Sequence, residues 1–161
     1  MKKGARIGYG YDVHPLGPDR KLILGGIEIP HTKGLLGHSD SDVLVHAVCD
    51  ALLGAMGEGD LGRHYPSSDP KYKGISSLKL LEDVMTKLQA KGYQVGNIDT
   101  VVVAQAPRLG PHLSAMQKKI AETAGLDPDL VNVKVKSGEG LDAVGHEEGM
   151  TAHAICVIEP S

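Results

Sequence analysis

Apolar residues spaced three and four positions apart predict three amphipathic helices in this chain. The first follows the polar residues 39–42, any of which could cap it, and ends near Gly57; the second begins near Ser76 or Ser77 and ends at Gly92; the third lies between Pro111 and Gly125. Their inward positions are Leu44, Ala47, Val48, Ala51, Leu52 and Ala55, then Leu78, Leu81, Val84, Met85 and Leu88, then Leu113, Met116, Ile120 and Ala124.

Alternating or continuous apolar runs predict the strands. They are residues 6–11, a hairpin over 22–29 that turns at Gly25-Gly26, residues 97–104, residues 131–136 and residues 151–158. The run Val101-Val102-Val103 predicts a strand covered on both faces. A mixed sheet with helices on one face is the most economical architecture for this order, and 161 residues suit a single domain spanning 1–161.

Residues 57–74 form a long segment without sustained periodicity, which predicts a functional or mobile loop. The net charge of -3 without a basic block argues against a nucleic-acid binder. The first residues carry no apolar leader and no run approaches 18 apolar residues, so we expect neither secretion nor a membrane span. Cys49 and Cys156 fall in apolar patterns without C-x-x-C spacing, which suits buried thiols in a reducing cytoplasm.

Asp12, His14 and His46 are the candidate metal ligands. Asp12 and His14 come just after the first predicted strand, and residues two apart in extended backbone point to the same side. His46 lies on the helix face opposite the apolar stripe, with Asp50 placed to receive its second N–H. One carboxylate and two imidazoles leave the fourth corner of a tetrahedral site open, as in catalytic zinc centres. A surface Asp-x-His turn and an exposed His paired with Asp are the plainer alternatives.

Three further segments could contact an anionic ligand. His38 and Ser39 precede the first helix, whose free N–H groups could bind an anionic oxygen, although Ser39 could simply be a cap. Asp60 and Gly62 pair a carboxylate with a close backbone approach, a combination also common in plain turns. Residues 104–110 leave a strand for a helix, where many sheets bind ligands.

As an ordered set these residues resemble the 2-C-methyl-D-erythritol 2,4-cyclodiphosphate synthase family over nearly the whole chain. The matching motifs are Gly8-x-Gly10-x-Asp12-x-His14, Gly25-Gly26-x-x-x-Pro30, Gly34-Leu35-Leu36-x-His38-Ser39-Asp40-x-Asp42-x-x-x-His46-Ala47, Asp50-Ala51-Leu52-Leu53-Gly54-Ala55, Gly59-Asp60-x-Gly62, Pro66-x-x-Asp69-Pro70-x-x-Lys73-Gly74 and Ala104-Gln105-Ala106-Pro107.

The resemblance implies an α+β domain with a mixed four-stranded sheet, assembled as a homotrimer with active sites between subunits. It implies a zinc ion on Asp12, His14 and His46, and Mg²⁺ or Mn²⁺ near Glu139. The implied reaction converts 4-diphosphocytidyl-2-C-methyl-D-erythritol 2-phosphate to the 2,4-cyclodiphosphate: the 2-phosphate attacks the β-phosphorus and expels CMP.

The resemblance also implies the remaining site residues. Catalytic roles fall on His38 and Ser137, and substrate contacts on Asp12, His14, His38, Ser39, Asp60, Leu61, Gly62, Tyr65, Pro66, Ser67, Ser68, Asp69, Ala104, Gln105, Ala106, Pro107, Arg108, Leu109, Gly110, Lys136, Ser137, Gly138, Glu139, Ala143 and His146. Of these, residues 104–110 would read cytosine through their backbone.

The sequence departs from the family pattern near its end. Where the family commonly has Lys-Ala-Thr-Thr-x-Glu, this chain has Lys134-Val135-Lys136-Ser137-Gly138-Glu139, so Ser137 keeps one hydroxyl and Lys136 adds a cation. Ala143 and His146 stand where an aromatic and an arginine are common, and His carries only part of a charge at neutral pH. Two rival functions therefore stay open: a trimeric binding protein without turnover, and a metal-dependent phosphohydrolase.

Overall fold

The computed structural model describes residues 4–161. The first three residues, where the sequence predicts no leader, lie outside the described part of the chain. Within it, no helix combines the length and apolarity that a membrane crossing requires.

A mixed sheet of five strands forms the centre of the fold, in the order β4-β1-β7-β5-β6. Its strands are β1 (Arg6–Gly17), β4 (Gly34–Leu35), β5 (Tyr93–Val103), β6 (Val131–Lys136) and β7 (Gly149–Pro160). Only β5 and β6 are parallel. The predicted count of four was wrong because β4 is a two-residue strand, too short to show any periodicity, that pairs with the end of β1. The predicted hairpin is confirmed as β2 (Leu22–Leu24) and β3 (Ile27–Ile29).

Two central strands are longer than predicted. β1 pairs with β7 from Arg6 opposite Ile158 to Pro15 opposite Gly149, so Asp12 and His14 lie within the strand and not after it. β5 begins at Tyr93, with a register shift near Val95. The valines of β5 are not covered on both faces within the subunit, because Val102 is buried while Val101 and Val103 are only half-buried.

The three predicted helices are confirmed as α1 (Val43–Met56), α3 (Ser77–Ala90) and α4 (Leu113–Ala124). Asp42 caps α1 and left-handed Gly57 ends it. Because α1 is packed between the sheet and α3, it is buried on nearly every side. The prediction that His46 lies on a polar face outside the core was therefore wrong: His46 is only 9% exposed.

Gly8 and Gly10 let α1 lie directly against β1. A Cβ at Gly10 would come within 1.9 Å of the Ala47 carbonyl oxygen, and one at Gly8 within 1.8 Å of the Ala51 oxygen. Since alternate residues of a strand share a face, Asp12 and His14 continue this same face towards the start of α1. The close packing thus places them beside His46.

Short helical turns interrupt the loops that sequence periodicity left unassigned. Within residues 57–74 lie α2 (Leu61–His64) and a 3-10 turn at Pro70–Tyr72, and the glycine-rich loop before β7 contains α5 (Asp142–Gly145). Each is three or four residues long, so none could produce an apolar stripe.

Candidate functional site

Three ligand atoms converge between β1 and α1. Asp12 Oδ2 lies 2.9 Å from His14 Nε2 and 2.9 Å from His46 Nδ1, and the two nitrogens are 3.3 Å apart. All three atoms could therefore bind one cation. The sequence prediction that Asp12 and His14 share a side holds, with the strand itself providing the alignment.

The hydrogen bond at one ring nitrogen of His14 determines that the other nitrogen, which faces the cluster, is the unprotonated one in neutral His14. Its Nδ1 lies 2.9 Å from the Leu36 carbonyl oxygen, which can only accept, so Nδ1 carries the proton. In neutral His14 the lone pair on Nε2 then points at Asp12. Electron-rich atoms facing each other at this distance suit a cation between them, and a set of one carboxylate and two imidazoles suits zinc.

Without a metal, hydrogen bonding shifts the pKa values of Asp12 and His14. Burial raises the pKa of Asp12, but the hydrogen bonds and charges of His14 and His46 outweigh it and hold the value at about 2. Burial lowers the pKa of His14, yet its bond to Asp12 gives a net increase. Protonation of His14 and binding of a metal would therefore compete for the same nitrogen, Nε2.

The second nitrogen of His46 does not contact Asp50, contrary to the sequence-based expectation. His46 Nε2 lies 2.8 Å from Ser77 Oγ and 3.3 Å from Ser39 Oγ. Asp50 instead accepts the Leu61 N–H at 2.7 Å and so fixes the start of α2. Burial raises the pKa of Asp50, and the nearby charges of Asp12 and Asp60 add to the increase.

The candidate metal ligands lie in the wall of a cleft with a volume of about 380 Å³. Its lining is formed by Asp12, His14, His38, Ser39, His46, Asp50, Asp60, Leu61, Gly62, Tyr65, Ser67, Tyr72, Ile75 and Leu80. Three of these residues are carboxylates and none of the described lining residues is Lys or Arg. A diphosphate could bind here only if a cation offset the negative charge.

His38 and Ser39 line the cleft but do not use the N-terminus of α1 as predicted. That end is capped by Asp42, whose Oδ1 accepts the Val45 N–H at 3.1 Å, so a carboxylate already takes the place that an anion would occupy. His38 is held from the other side of the cleft, with Nε2 2.9 Å from the Asp69 carbonyl oxygen.

Residues of the 57–74 segment form the opposite wall. Asp60 caps α2 by accepting the Arg63 N–H at 3.0 Å, which places Leu61 and Gly62 in the lining. Tyr65 and Ser67 also line the cleft, and Tyr65 hydrogen-bonds to Asp83. Of the other predicted residues, Pro66, Ser68 and Asp69 are outside the lining set.

A second cleft, about 290 Å³ in volume, collects most of the remaining predicted residues. Its lining is Ala104, Gln105, Pro107, Arg108, Leu109, Gly110, Val135, Lys136 and Ser137. Gln105 Oε1 accepts the N–H groups of Gly138 at 3.1 Å and Gly140 at 3.4 Å, which joins the two loops. Glu139 is exposed and accepts a hydrogen bond from Ser137 Oγ at 3.1 Å. No described residue lines both clefts.

Ala143 and His146 lie apart from these groups. Both are exposed, at and just after α5, and neither belongs to the lining of the two clefts.

Sequence reasoning missed several residues that the fold brings to the site. Tyr72, Ile75 and Leu80 line the first cleft, and Ser77 contacts His46. Ser77 was recognised only as one possible start of a helix. No spacing rule links it to a histidine 31 positions earlier, because only the packing of α3 on α1 brings them together.

An α+β domain with an Asp-His-His cluster at an acidic cleft defines a class of proteins with a candidate metal centre. Comparison with known proteins narrows this class. The profile of the YgbB family matches residues 5–159, and the chain belongs to this family.

Its relatives share nearly the full length of the chain. The 2-C-methyl-D-erythritol 2,4-cyclodiphosphate synthase of Syntrophotalea carbinolica is 56% identical over 153 residues, covering 95% of this chain and 93% of the relative. The IspF of Plasmodium falciparum, in complex with CDP, has a TM-score of 0.88 and 30% identity, with coverage of 100% and 99%. The bifunctional IspDF of Campylobacter jejuni has a TM-score of 0.94 and 41% identity; 98% of this chain matches 42% of that one.

Proposed function

We propose that this chain converts 4-diphosphocytidyl-2-C-methyl-D-erythritol 2-phosphate to 2-C-methyl-D-erythritol 2,4-cyclodiphosphate and CMP. An oxygen of the 2-phosphate forms a bond to the β-phosphorus, and the bond from that phosphorus to the CMP oxygen breaks. Relatives that are 50% to 56% identical over almost the entire chain are synthases of this product. The convergence of Asp12, His14 and His46 at the acidic cleft is the observation that carries the residue-level proposal.

The proposed cofactor is one zinc ion per subunit on those three residues. When bound, it would withdraw charge from the substrate diphosphate. The chain itself positions both ends of the substrate, which is the main protein contribution expected in phosphoryl transfer. We assign His38, anchored by Asp69, and Ser39 to the reacting phosphate, and Asp60 with Gly62 to the polyol hydroxyls.

The second cleft is proposed to take the cytidine end. Residues 104–110 would read cytosine through their backbone, with Lys136 and Ser137 on a phosphate and Glu139 near Mg²⁺ or Mn²⁺. The bonds of Gln105 to Gly138 and Gly140 support a joint role, because they make the two loops one unit. The CDP bound to the Plasmodium falciparum relative supports a cytidine ligand. Ala143 and His146 remain proposed contacts of the same end.

We further propose a homotrimer in which each active site combines the first cleft of one subunit with the second cleft of a neighbour. The sheet face opposite α1 supports self-association, since its exposed side chains include Ile7, Tyr9, Tyr11, Val13 and Ile155. One contiguous buried core supports a single synthase domain over 1–161. The two free thiols support a reducing, cytoplasmic location.

Product analysis and metal content test this function together. The purified protein, incubated with substrate and Mg²⁺, is expected to contain about one zinc per subunit and to release CMP with a cyclic diphosphate, followed by phosphorus NMR. Asp12→Asn should lose the zinc and at least ~100-fold in CMP release. Asp129→Asn, an exposed carboxylate outside both clefts, is the matched control. His46→Ala tests the metal ligands less directly than Asp12→Asn, because it also removes a buried side chain.

Each alternative outcome has its own meaning. Linear phosphates as products would favour a phosphohydrolase, and substrate binding without turnover would favour a binding protein. Undiminished CMP release by Asp12→Asn would contradict the assignment of the metal ligands.

A further inference from the structure

Ser77, which is buried, and Asp40, which is half-buried, form a hydrogen-bonded pair behind His46. Ser77 is the first residue of α3 and is 0% exposed. Its Oγ lies 2.8 Å from His46 Nε2, on the side of the ring away from Asp12. The same Oγ donates to Asp40 Oδ1, and the Ser77 N–H donates to Asp40 Oδ2 at 2.9 Å.

Asp40 has the hydrogen-bond pattern of a carboxylate that only accepts. In addition to both groups of Ser77 it accepts the Asp42 N–H at 3.1 Å. Asp40 also caps α3 by accepting the Ser77 N–H, since Ser76, the residue before the helix, makes no side-chain capping bond. The carboxylate is therefore held in place by three donors from two segments, and it orients the Ser77 hydroxyl in turn.

The number of protons decides what Ser77 presents to His46. A serine hydroxyl has one proton, and Ser77 uses it on Asp40. Towards His46 it can offer only a lone pair, so His46 Nε2 is the donor in this contact of 2.8 Å, the shorter of its two serine contacts; Ser39 Oγ lies 3.3 Å away. Neutral His46 then carries its proton on Nε2 and keeps Nδ1 free, the atom 2.9 Å from Asp12.

We propose that Ser77 and Asp40 are positioning residues that lock His46 in the tautomer able to bind metal through Nδ1. Neither residue lines the two clefts described above; both act through His46, as partners of metal-bound histidines commonly do. Leu36 does the same for His14 through its carbonyl oxygen. This inference rests on the proposed metal site and names what sets its affinity.

Zinc affinity, measured by competition with a chromophoric chelator, tests the pair. Ser77→Ala removes the acceptor and is expected to weaken zinc binding 10- to 100-fold. Ser77→Thr keeps the hydroxyl and should restore most of the affinity. Asp40→Asn can present an amide donor to Ser77, which reverses the hydroxyl and favours the wrong tautomer, so it should also weaken zinc binding. Ser76→Ala, the neighbour without a capping bond, is the control and should match wild type.

Nitrogen-15 NMR of the imidazole rings provides a readout on the wild-type protein that needs no variant to fold. The proton of His46 is expected on Nε2 in the zinc-loaded protein, and Nδ1 should show the shift of a metal-bound nitrogen. A proton on Nδ1 would overturn the inference. An unchanged zinc affinity in Ser77→Ala would also overturn the inference. The same holds if Ser77→Ala and Ser77→Thr lost zinc affinity equally while Asp40→Asn kept it.

The proposed metal site and the proposed role of Ser77 and Asp40 are contradicted by different results. If wild-type protein bound no zinc, the proposed metal site would fall, and a His46 ring without a proton on Nε2 in the metal-free protein would separately contradict the lock. If wild type bound zinc and Ser77→Ala bound it equally well, only the role of Ser77 and Asp40 would be lost.

Discussion

Asp42 is a buried carboxylate that ties the β2–β3 hairpin to the first turn of α1. Its Oδ1 accepts the N–H groups of Gly25 at 3.0 Å and Val45 at 3.1 Å, and its Oδ2 accepts that of Gly26 at 2.7 Å. Burial, with the nearby charge of Asp40, raises the pKa of Asp42 to about 6. The site thus has a capping residue whose ionisation is costly in the folded state.

This elevated pKa predicts a pH dependence of stability. Between about pH 4 and 6 the folded state holds a proton on Asp42 that the unfolded state has lost, so stability contributed by Asp42 falls as pH rises. A shift of about two units corresponds to at most roughly 3 kcal/mol. In urea unfolding at pH 4.5 and pH 7, the free energy of unfolding of wild type should therefore fall relative to that of Asp42→Asn.

The variant is also expected to be less stable overall at both pH values, because an amide oxygen cannot accept all three N–H groups. Asp127→Asn, which alters an exposed cap, should follow the wild-type pH profile. A constant difference between wild type and Asp42→Asn across this range would contradict the prediction.

At the scale of elements, the packing of α1 on β1 is what assembles the candidate metal centre. Gly8 and Gly10 remove the side chains that would separate them, and Asp12 and His14 continue the same strand face. The distance between strand and helix therefore sets the distance between Asp12 and His46.

Gly10→Ala should force the two elements apart, because its Cβ would lie 1.9 Å from the backbone oxygen of Ala47. We expect a loss of at least about 3 kcal/mol in stability and a marked loss of zinc affinity. Calorimetric melting and chelator competition would measure both.

Gly54→Ala is the matched control on the facing helix, since its Cβ would meet only the Tyr9 oxygen at 3.8 Å. There the higher helix propensity of Ala should stabilise the chain by up to about 1 kcal/mol. If Gly10→Ala melted and bound zinc like wild type, the close approach would not be what sets the site geometry.

At the scale of the whole molecule, the separation of the two clefts and the exposed apolar sheet face have a common explanation in the proposed trimer. Within one subunit the ligand cluster and residues 104–110 line different cavities. Ile7, 75% exposed, projects from the face that a neighbouring subunit would cover. Assembly would bury this face and bring complementary clefts together.

Ile7→Glu is therefore expected to dissociate the assembly, because it would place a charge in an apolar interface. Sedimentation velocity should show a folded monomer in place of a trimer, and CMP release should fall at least ~100-fold while zinc affinity changes little. Lys118→Glu, an exposed change on α4, should leave the trimer intact. A trimeric, active Ile7→Glu enzyme would exclude this face as the interface.

The sequence by itself determined the three long helices, the hairpin and which residues are candidate metal ligands. Long amphipathic stripes predict helices well because each helix must bury one face. The order of motifs was enough to identify the family. The two-residue strand β4 and the turns at α2 and α5 could not be predicted, since such short elements depend on contacts from distant segments.

The tertiary structure alone decided how the ligands are held. The local pattern predicted that His46 lies on a polar face of α1 together with Asp50. In the structure α3 packs over α1, which buries the His46 ring and brings Ser77 into contact with its Nε2. Asp42 caps α1 locally through Val45, but its bonds to Gly25 and Gly26 depend on a hairpin about 16 residues away in sequence. Periodicity reports which face of an element is apolar, but only packing determines which other element covers it and which polar groups then meet.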